Sequence, residues 1–184
     1  MIRPIYLYGS EVLRKKAVPV DITKTEEIKT LVADLWETLA SSEGCGLAAP
    51  QIGESLRVVV VDGDVMSDVY DYLKGFKRTM INPVIVSESN IMCEYNEGCL
   101  SVPGIYADVR RPDSLRVEYY DENLEKQSEV FERFAARMVQ HELSHLEGVL
   151  FTDLVAPIRR KMVARKLQGI AAGKIRTSYK SKLK

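Results

Sequence analysis

No apolar run in the chain approaches the roughly 18 residues that a membrane-spanning helix requires, so no membrane span is expected. The opening Met1-Ile2-Arg3-Pro4 lacks an apolar h-region and is not Arg/Ser-rich, which argues against a secretory signal or an organellar transit peptide. Cysteine is scarce: three residues in 184, an odd number, build no disulfide framework. A reducing cytosol is the simplest setting for such a chain, and any special cysteine is then a ligand or nucleophile rather than half of a bridge. Net charge is also missing. With 26 basic and 26 acidic residues, the molecule as a whole has no bias toward DNA or a membrane surface. Histidine is scarcer still than cysteine, with two residues, and acidic residues stop altogether after Asp153. What is present is 46% hydrophobic residues over a length typical of one domain, so residues 1–184 read as a single unit with one sizeable core.

The pattern along the chain points to an α+β fold: short strands and hairpins between helices, with few βαβ units. Asp21 to Glu43 reads as a helix, because Ile28, Leu31, Val32, Leu35, Trp36 and Leu39 fall on one stripe. Thr23-x-x-Glu26 has the form of a capping box at its start. Arg57 to Asp62 reads as a buried strand, and residues 63–78 as a surface excursion without a clear period. Thr79 to Ser87 looks extended, with Pro83 marking an edge or a break. Leu115–Tyr120 and Ser128–Phe134 flank a polar turn at Asp121-Glu122-Asn123, a hairpin signal. A second helix is expected from Ala135 to about Glu147 and a third from Ala156 to about Ala171, with Pro157 in its first turn.

Both histidines fall in one pattern, His141-Glu142-Leu143-Ser144-His145. Residues four apart share a helix face, so both imidazoles can reach one ion while Glu142 meets a water beside it. A catalytic site of this type needs a third protein ligand and an open position. The metzincin continuation would supply a histidine where Phe151 stands, and a gluzincin glutamate downstream is excluded by the absence of acids after Asp153. Glu147 and Asp153 remain formal candidates, although they lie awkwardly close to the helix. Upstream, the candidate is Cys99 in Glu97-Gly98-Cys99-Leu100-Ser101. Buried filler is the commoner role of an isolated cysteine, and Cys45 and Cys93 keep that reading. Two other readings stay open on these residues: an endopeptidase of the zincin type, and a closed structural site with Cys45 or Cys93 as fourth ligand.

Three segments together resemble the motifs of peptide deformylases: Gly44-Cys45-Gly46-Leu47-Ala48-Ala49-Pro50-Gln51, Glu97-Gly98-Cys99-Leu100-Ser101, and His141-Glu142-Leu143-Ser144-His145. They stand in the family's order, and the resemblance spans nearly the whole chain, including a C-terminal helix like that of a bacterial class. It implies sheets, antiparallel or mixed, packed around a central metal-binding helix. It also implies a cytoplasmic bacterial enzyme that removes the formyl group from N-formylmethionyl nascent peptides. By the same resemblance Cys99, His141 and His145 bind one divalent metal, Fe(II) in cells with Zn, Ni or Co possible, and water takes the fourth place. Glu142 is then the general base and later the acid, while the Gln51 amide and the Leu100 backbone N–H hold the oxyanion. The glycines at 44 and 46 let backbone approach a ligand closely, which makes Gly46 a substrate-binding candidate. Leu100, Ile105 and Met138 are candidates for the methionine side-chain pocket.

The pattern is broken once. The family usually has aspartate just before the second histidine, paired with an arginine, and this chain has Ser144. A hydroxyl still accepts a hydrogen bond from an arginine, with Arg111 the candidate, and Glu97 or a water is expected to take over the brace. In the tail, every charged residue after Asp153 is basic, while Val155, Ile158, Met162, Val163, Leu167 and Ile170 form an apolar set on the last helix. Such a surface suits a polyanion. For a deformylase the natural polyanion is the ribosome, which the C-terminal helix meets in some bacterial members of the family.

Overall fold

The computed structural model of the chain describes residues 1–183. Its first strand, β1 (Ile5–Tyr6), precedes helix α1 (Thr25–Ala40). Strands β2 (Gly46–Ala48), β3 (Val58–Asp62) and β4 (Lys77–Glu88) follow. A hairpin of β5 (Met92–Cys99) and β6 (Val102–Pro112) leads into β7 (Ser114–Tyr120) and β8 (Lys126–Glu132). The chain then enters α2 (Arg133–Leu146), a short α3 (Phe151–Leu154), α4 (Pro157–Ala171) and the two-residue β9 (Ser181–Lys182).

β2, β3, β4, β7 and β8 form an antiparallel sheet in that order, while β5–β6 pair separately and β1 pairs with β9 in parallel. The run Val58-Val59-Val60-Val61 is continuously apolar because β3 is covered on both faces. Val58 and Val60 pack with Ile28, Leu31, Leu35 and Leu39 of α1. Val59 and Val61 pack with Ala136, Met138, Val139 and Leu143 of α2. Burying each such Val or Leu side chain contributes about 1.5–3 kcal/mol. α2 is therefore central, with one side on the sheet. Its other side meets the β5–β6 hairpin, where Arg137 donates to the carbonyls of Val109 and Cys93 (both 2.9 Å) and Gln140 to that of Pro112 (2.9 Å). The expected α+β architecture, with sheets around a central helix and a C-terminal helix, is the one found.

Several local expectations are corrected. α1 starts at Thr25 rather than Asp21, and the capping box does not form. Asp21 competes for its first residue: its carboxylate accepts both the Thr23 N–H (3.0 Å) and the Thr23 hydroxyl (2.7 Å) in a local turn. The helix ends at Ala40, where the Ser41 and Ser42 hydroxyls donate to the carbonyls of Thr38 and Leu39. Pro83 marks a break rather than an edge. β4 runs through the sheet, and the register slips between Ile81 and Val84, with Asn82 at φ 51°. Residues 63–78 are more than a surface excursion, since Leu73 is fully buried and Tyr70 stacks on Phe134 of α2 with centroids 4.7 Å apart. On α4 the apolar set divides. Val163, Leu167 and Ile170 dock against β6, while Ile158 and Met162 are exposed. At 100° per residue, Ile158 lies roughly 140° around the helix from Val163, so one stripe cannot hold both.

Candidate metal centre

α2 presents Arg137, His141 and His145 at successive four-residue intervals, one row of the helix facing the hairpin. β5 ends in Cys99, and the turn Leu100-Ser101 reverses the chain into β6, so the cysteine is carried to the same row. The Sγ of Cys99 and one ring nitrogen each of His141 and His145 lie within 4.8 Å of one another. The sulfur is 3.3 Å from Nε2 of His145. Donors on a tetrahedral ion at ~2.0–2.3 Å stand about 3.3–3.7 Å apart, so the spacing suits a metal with thiolate and imidazole ligands.

The electrostatics agree with the donor set. His141 Nδ1 donates to Glu97 Oε2 (2.8 Å), which leaves Nε2 as the ring nitrogen that faces Cys99. Burial opposes a charge on His141, yet Cys99 and Glu97 outweigh it and raise the imidazole pKa to about 10, so the pocket favours a positive charge at this point. His145, 1% exposed, is held well below the ordinary histidine range by burial and stays a neutral donor. Cys45 and Cys93 lie outside the group. Burial and the nearby Glu142 push the Cys45 thiol up to about 12, which keeps it protonated. Cys93 sits against Arg137 instead. Glu147 is paired with Lys16 and Arg57, and Asp153 with Arg14, so neither downstream carboxylate reaches the donors.

Glu142 is 4% exposed, and its Oε2 has no hydrogen-bond partner among the described residues. Burial pushes its carboxyl up to about 7. A Cβ at position 46 would stand 2.4 Å from Glu142 Oε1, so only glycine lets β2 pass this close to the carboxylate. Gln51 is held by a backbone bond from Ala48 N–H to its Oε1 (2.8 Å). Its Nε2 is thereby turned toward the cysteine turn, 3.1 Å from Ser101 Oγ and 3.6 Å from Cys99 Sγ. Glu142, Gly46, Gln51, Cys99 and His141 meet at a cleft of about 450 Å³ that Leu100, Ile105 and Met138 also line. A larger groove of about 700 Å³, between Arg3 and α1, contains none of the three donors; the chemistry rather than the size identifies the site.

Sequence reasoning missed two features of the cleft. One is Arg137, which is 3% exposed and donates to Glu97 Oε1 (2.7 Å). Its place four residues before His141 was the available signal. The other is the chain's end, where Ser178 and Tyr179 line the cleft without any local motif. Ser144 behaves as expected of a hydroxyl in place of a carboxylate: Arg111 Nη1 donates to its Oγ (2.9 Å), while the same guanidinium grips Glu97 through Nε (2.7 Å) and Nη2 (3.0 Å). One buried carboxylate thus faces two guanidiniums. Ser144→Asp adds the second carboxylate, so metal retention and turnover should stay level or rise. A large loss of both on dialysis and assay would show that the brace depends on the hydroxyl.

Comparison with known proteins agrees with this geometry. The profile of the Polypeptide deformylase family matches residues 2–161. The chain is 42% identical to the peptide deformylase of Flavobacterium psychrophilum over 100% of its own length and 97% of the relative's. Its identity to that of Cytophaga hutchinsonii is 41%, over 99% and 97% of the two chains. Among solved structures, the peptide deformylase of Thermus thermophilus superposes with a TM-score of 0.83 at 37% identity, covering 94% of this chain and 99% of that one. The enzyme from Legionella pneumophila does so at 0.82 and 38%, covering 96% and 99%. A metal-suited Cys/His/His group beside a buried glutamate, on a fold shared over nearly the whole length, places the chain in the polypeptide deformylase family, metalloenzymes that take the formyl group off N-formylmethionyl peptides.

Proposed function

We propose the following division of labour for deformylation by this chain. Cys99, His141 and His145 hold one divalent ion. Thiolate and imidazole donors favour Fe(II), Zn, Ni or Co over Mg or Ca, and Fe(II) is the ion assigned for the cell. Such an ion, when bound, supplies a Lewis acid that makes hydroxide available near neutral pH. Glu142 takes the proton of the attacking water and returns it to the leaving amine. Gln51 Nε2 and the Leu100 N–H donate to the oxygen that becomes negative as the formyl carbon turns tetrahedral. Gly46 keeps the backbone of β2 open to the substrate main chain, and Leu100, Ile105 and Met138 wall the methionine side chain. The observation that carries this reading is the unpartnered Oε2 of a buried Glu142 beside three metal-suited donors.

The test is formate release from a formyl-Met-Ala-Ser peptide by anaerobically purified protein loaded with Fe(II) or Ni(II). Formate without cleavage of internal peptide bonds is the expected result. Internal cleavage would instead make the chain an endopeptidase.

The same reading treats residues 1–184 as one catalytic unit whose basic helix and tail, about 156–184, meet the ribosome in the cytoplasm. Among the described residues no helix is long and apolar enough to cross a membrane. Lys161, Arg165 and Lys166 are exposed on α4, whereas Arg159 and Arg160 are engaged with the carbonyls of Tyr106 and Asp153. Because α4 buries Val163, Leu167 and Ile170, deleting it would also damage the core. Reversing charge with Lys161→Glu, Arg165→Glu and Lys166→Glu is the cleaner variant. Ribosome co-sedimentation at low salt should fall at least tenfold and lose much of its salt dependence, with short-peptide turnover unchanged. Unchanged co-sedimentation would remove α4 from the docking surface.

A further inference from the structure

The family profile matches no further than residue 161, yet the chain beyond α4 returns to the cleft. β9 lies parallel to β1, with Ile5 opposite Ser181 and Tyr6 opposite Lys182, and the Ser10 hydroxyl donates to the Leu183 carbonyl (2.7 Å). The Thr177 hydroxyl bonds to the Tyr179 carbonyl (2.7 Å) and lies 2.7 Å from Ser181 Oγ, which stiffens the stretch between α4 and β9. Tyr179 is thereby set at the cleft with its ring against the α1 side of the core. Its hydroxyl donates to the Leu100 carbonyl (2.5 Å).

The turn Cys99-Leu100-Ser101 carries a metal donor and the proposed backbone donor to the oxyanion, so its orientation matters to within a fraction of an ångström. It is pinned from three sides. Gln51 Nε2 donates to Ser101 Oγ (3.1 Å), the Tyr8 N–H to the Ser101 carbonyl (2.7 Å), and Tyr179 to the Leu100 carbonyl. Tyr8 follows β1 and Tyr179 precedes β9, so the two backbone pins come from segments that are themselves paired. A carbonyl held on Leu100 fixes the rotation of the backbone on one side of that residue, and its N–H lies on the other.

We propose that Tyr179 is a positioning residue for deformylation: its hydroxyl aims the Leu100 N–H at the formyl oxygen, and its ring forms a wall of the cleft along which the peptide beyond methionine passes. This rests on the reading of the Leu100 N–H as an oxyanion donor. The hydroxyl acts on the transition state through Leu100, whereas the ring acts on binding. The two effects therefore separate in kcat and KM.

The experiment compares full-length Tyr179→Phe, Tyr179→Leu and Gln51→Glu, all metal-loaded, on formyl-Met-Ala and formyl-Met-Ala-Ser, with bound metal and Tm measured on each. Gln51→Glu keeps the acceptor for Ala48 N–H, turns the donor into a second acceptor and adds a negative charge beside Cys99. Tyr179→Phe should lower kcat roughly tenfold on both peptides, less than the loss of a direct oxyanion donor, with KM within about twofold. Tyr179→Leu should show the same kcat and in addition raise KM several-fold on the longer peptide alone. Wild-type kcat in Tyr179→Phe, with Gln51→Glu impaired, would overturn the inference and leave the oxyanion reading standing. Wild-type kcat in both would overturn that reading too. A kcat loss that merely tracks lost metal or a lowered Tm would reduce Tyr179 to a structural tie and likewise overturn the inference.

Discussion

Glu142→Ala should lose roughly 10²–10⁴-fold in kcat for formate release while keeping its metal, the range a positioned general acid–base contributes. The side chain has no understudy. Of the other carboxylates at the cleft, Glu43 is exposed at the rim, and Glu97 is already engaged by Arg111, Arg137 and His141. None of the three metal donors touches Glu142 by hydrogen bond, so truncation leaves the donor set intact. Stability should move the other way from activity. Burying this carboxyl raises its pKa to about 7 and so costs stability at neutral pH, and removing it relieves that cost, partly offset by the space left beside Gly46. The Tm of Glu142→Ala is therefore expected to match or exceed that of the wild type. Turnover within about threefold of the wild type, with metal bound, would place the base elsewhere.

The metal helix was legible because its signal is local. Two histidines at one helical interval, with a glutamate between them, fix both the element and the chemistry. The strand Val58–Asp62 and the Ser114–Glu132 hairpin were legible because their signals are local too, a short apolar run and a polar turn. The β5–β6 hairpin was not. Its inner face runs through Ile105, Ala107 and Val109 but also through Glu97 and Arg111, which are buried charges where a strand pattern demands apolar side chains. Those charges hold the second layer of the site, so the feature that hid the hairpin is a functional one. The C-terminal return to the cleft had no signal at all. Tyr179 reaches Leu100 across 79 positions of sequence, and β9 pairs over only two residues, too few to leave a pattern. Ser144 shows the reverse case: the departure from the family pattern was visible in sequence, but its consequence depended on where Arg111 stood.

The second large effect is expected at Glu97. Its carboxylate accepts from Arg111, Arg137 and His141 at 2.7–3.0 Å, and burial alone would raise its proton affinity. The surrounding donors reverse that and hold it far below the ordinary carboxylate range. Glu97→Gln keeps the shape but removes the charge and turns one acceptor into a donor. It leaves two buried guanidiniums without a counter-ion, a loss of about 3–5 kcal/mol, or a Tm lower by roughly 6–20 °C for a chain of this size. Metal affinity should fall by about 10–100-fold as well, because His141 loses the acceptor that fixes its tautomer and orientation. The two losses have different causes and separate on adding Ser144→Asp. That change returns a carboxylate to Arg111 and should recover part of the Tm, but it gives His141 no acceptor, so metal affinity should stay low. Recovery of both together would mean that the net charge of the cluster, rather than the Glu97–His141 bond, governs metal retention.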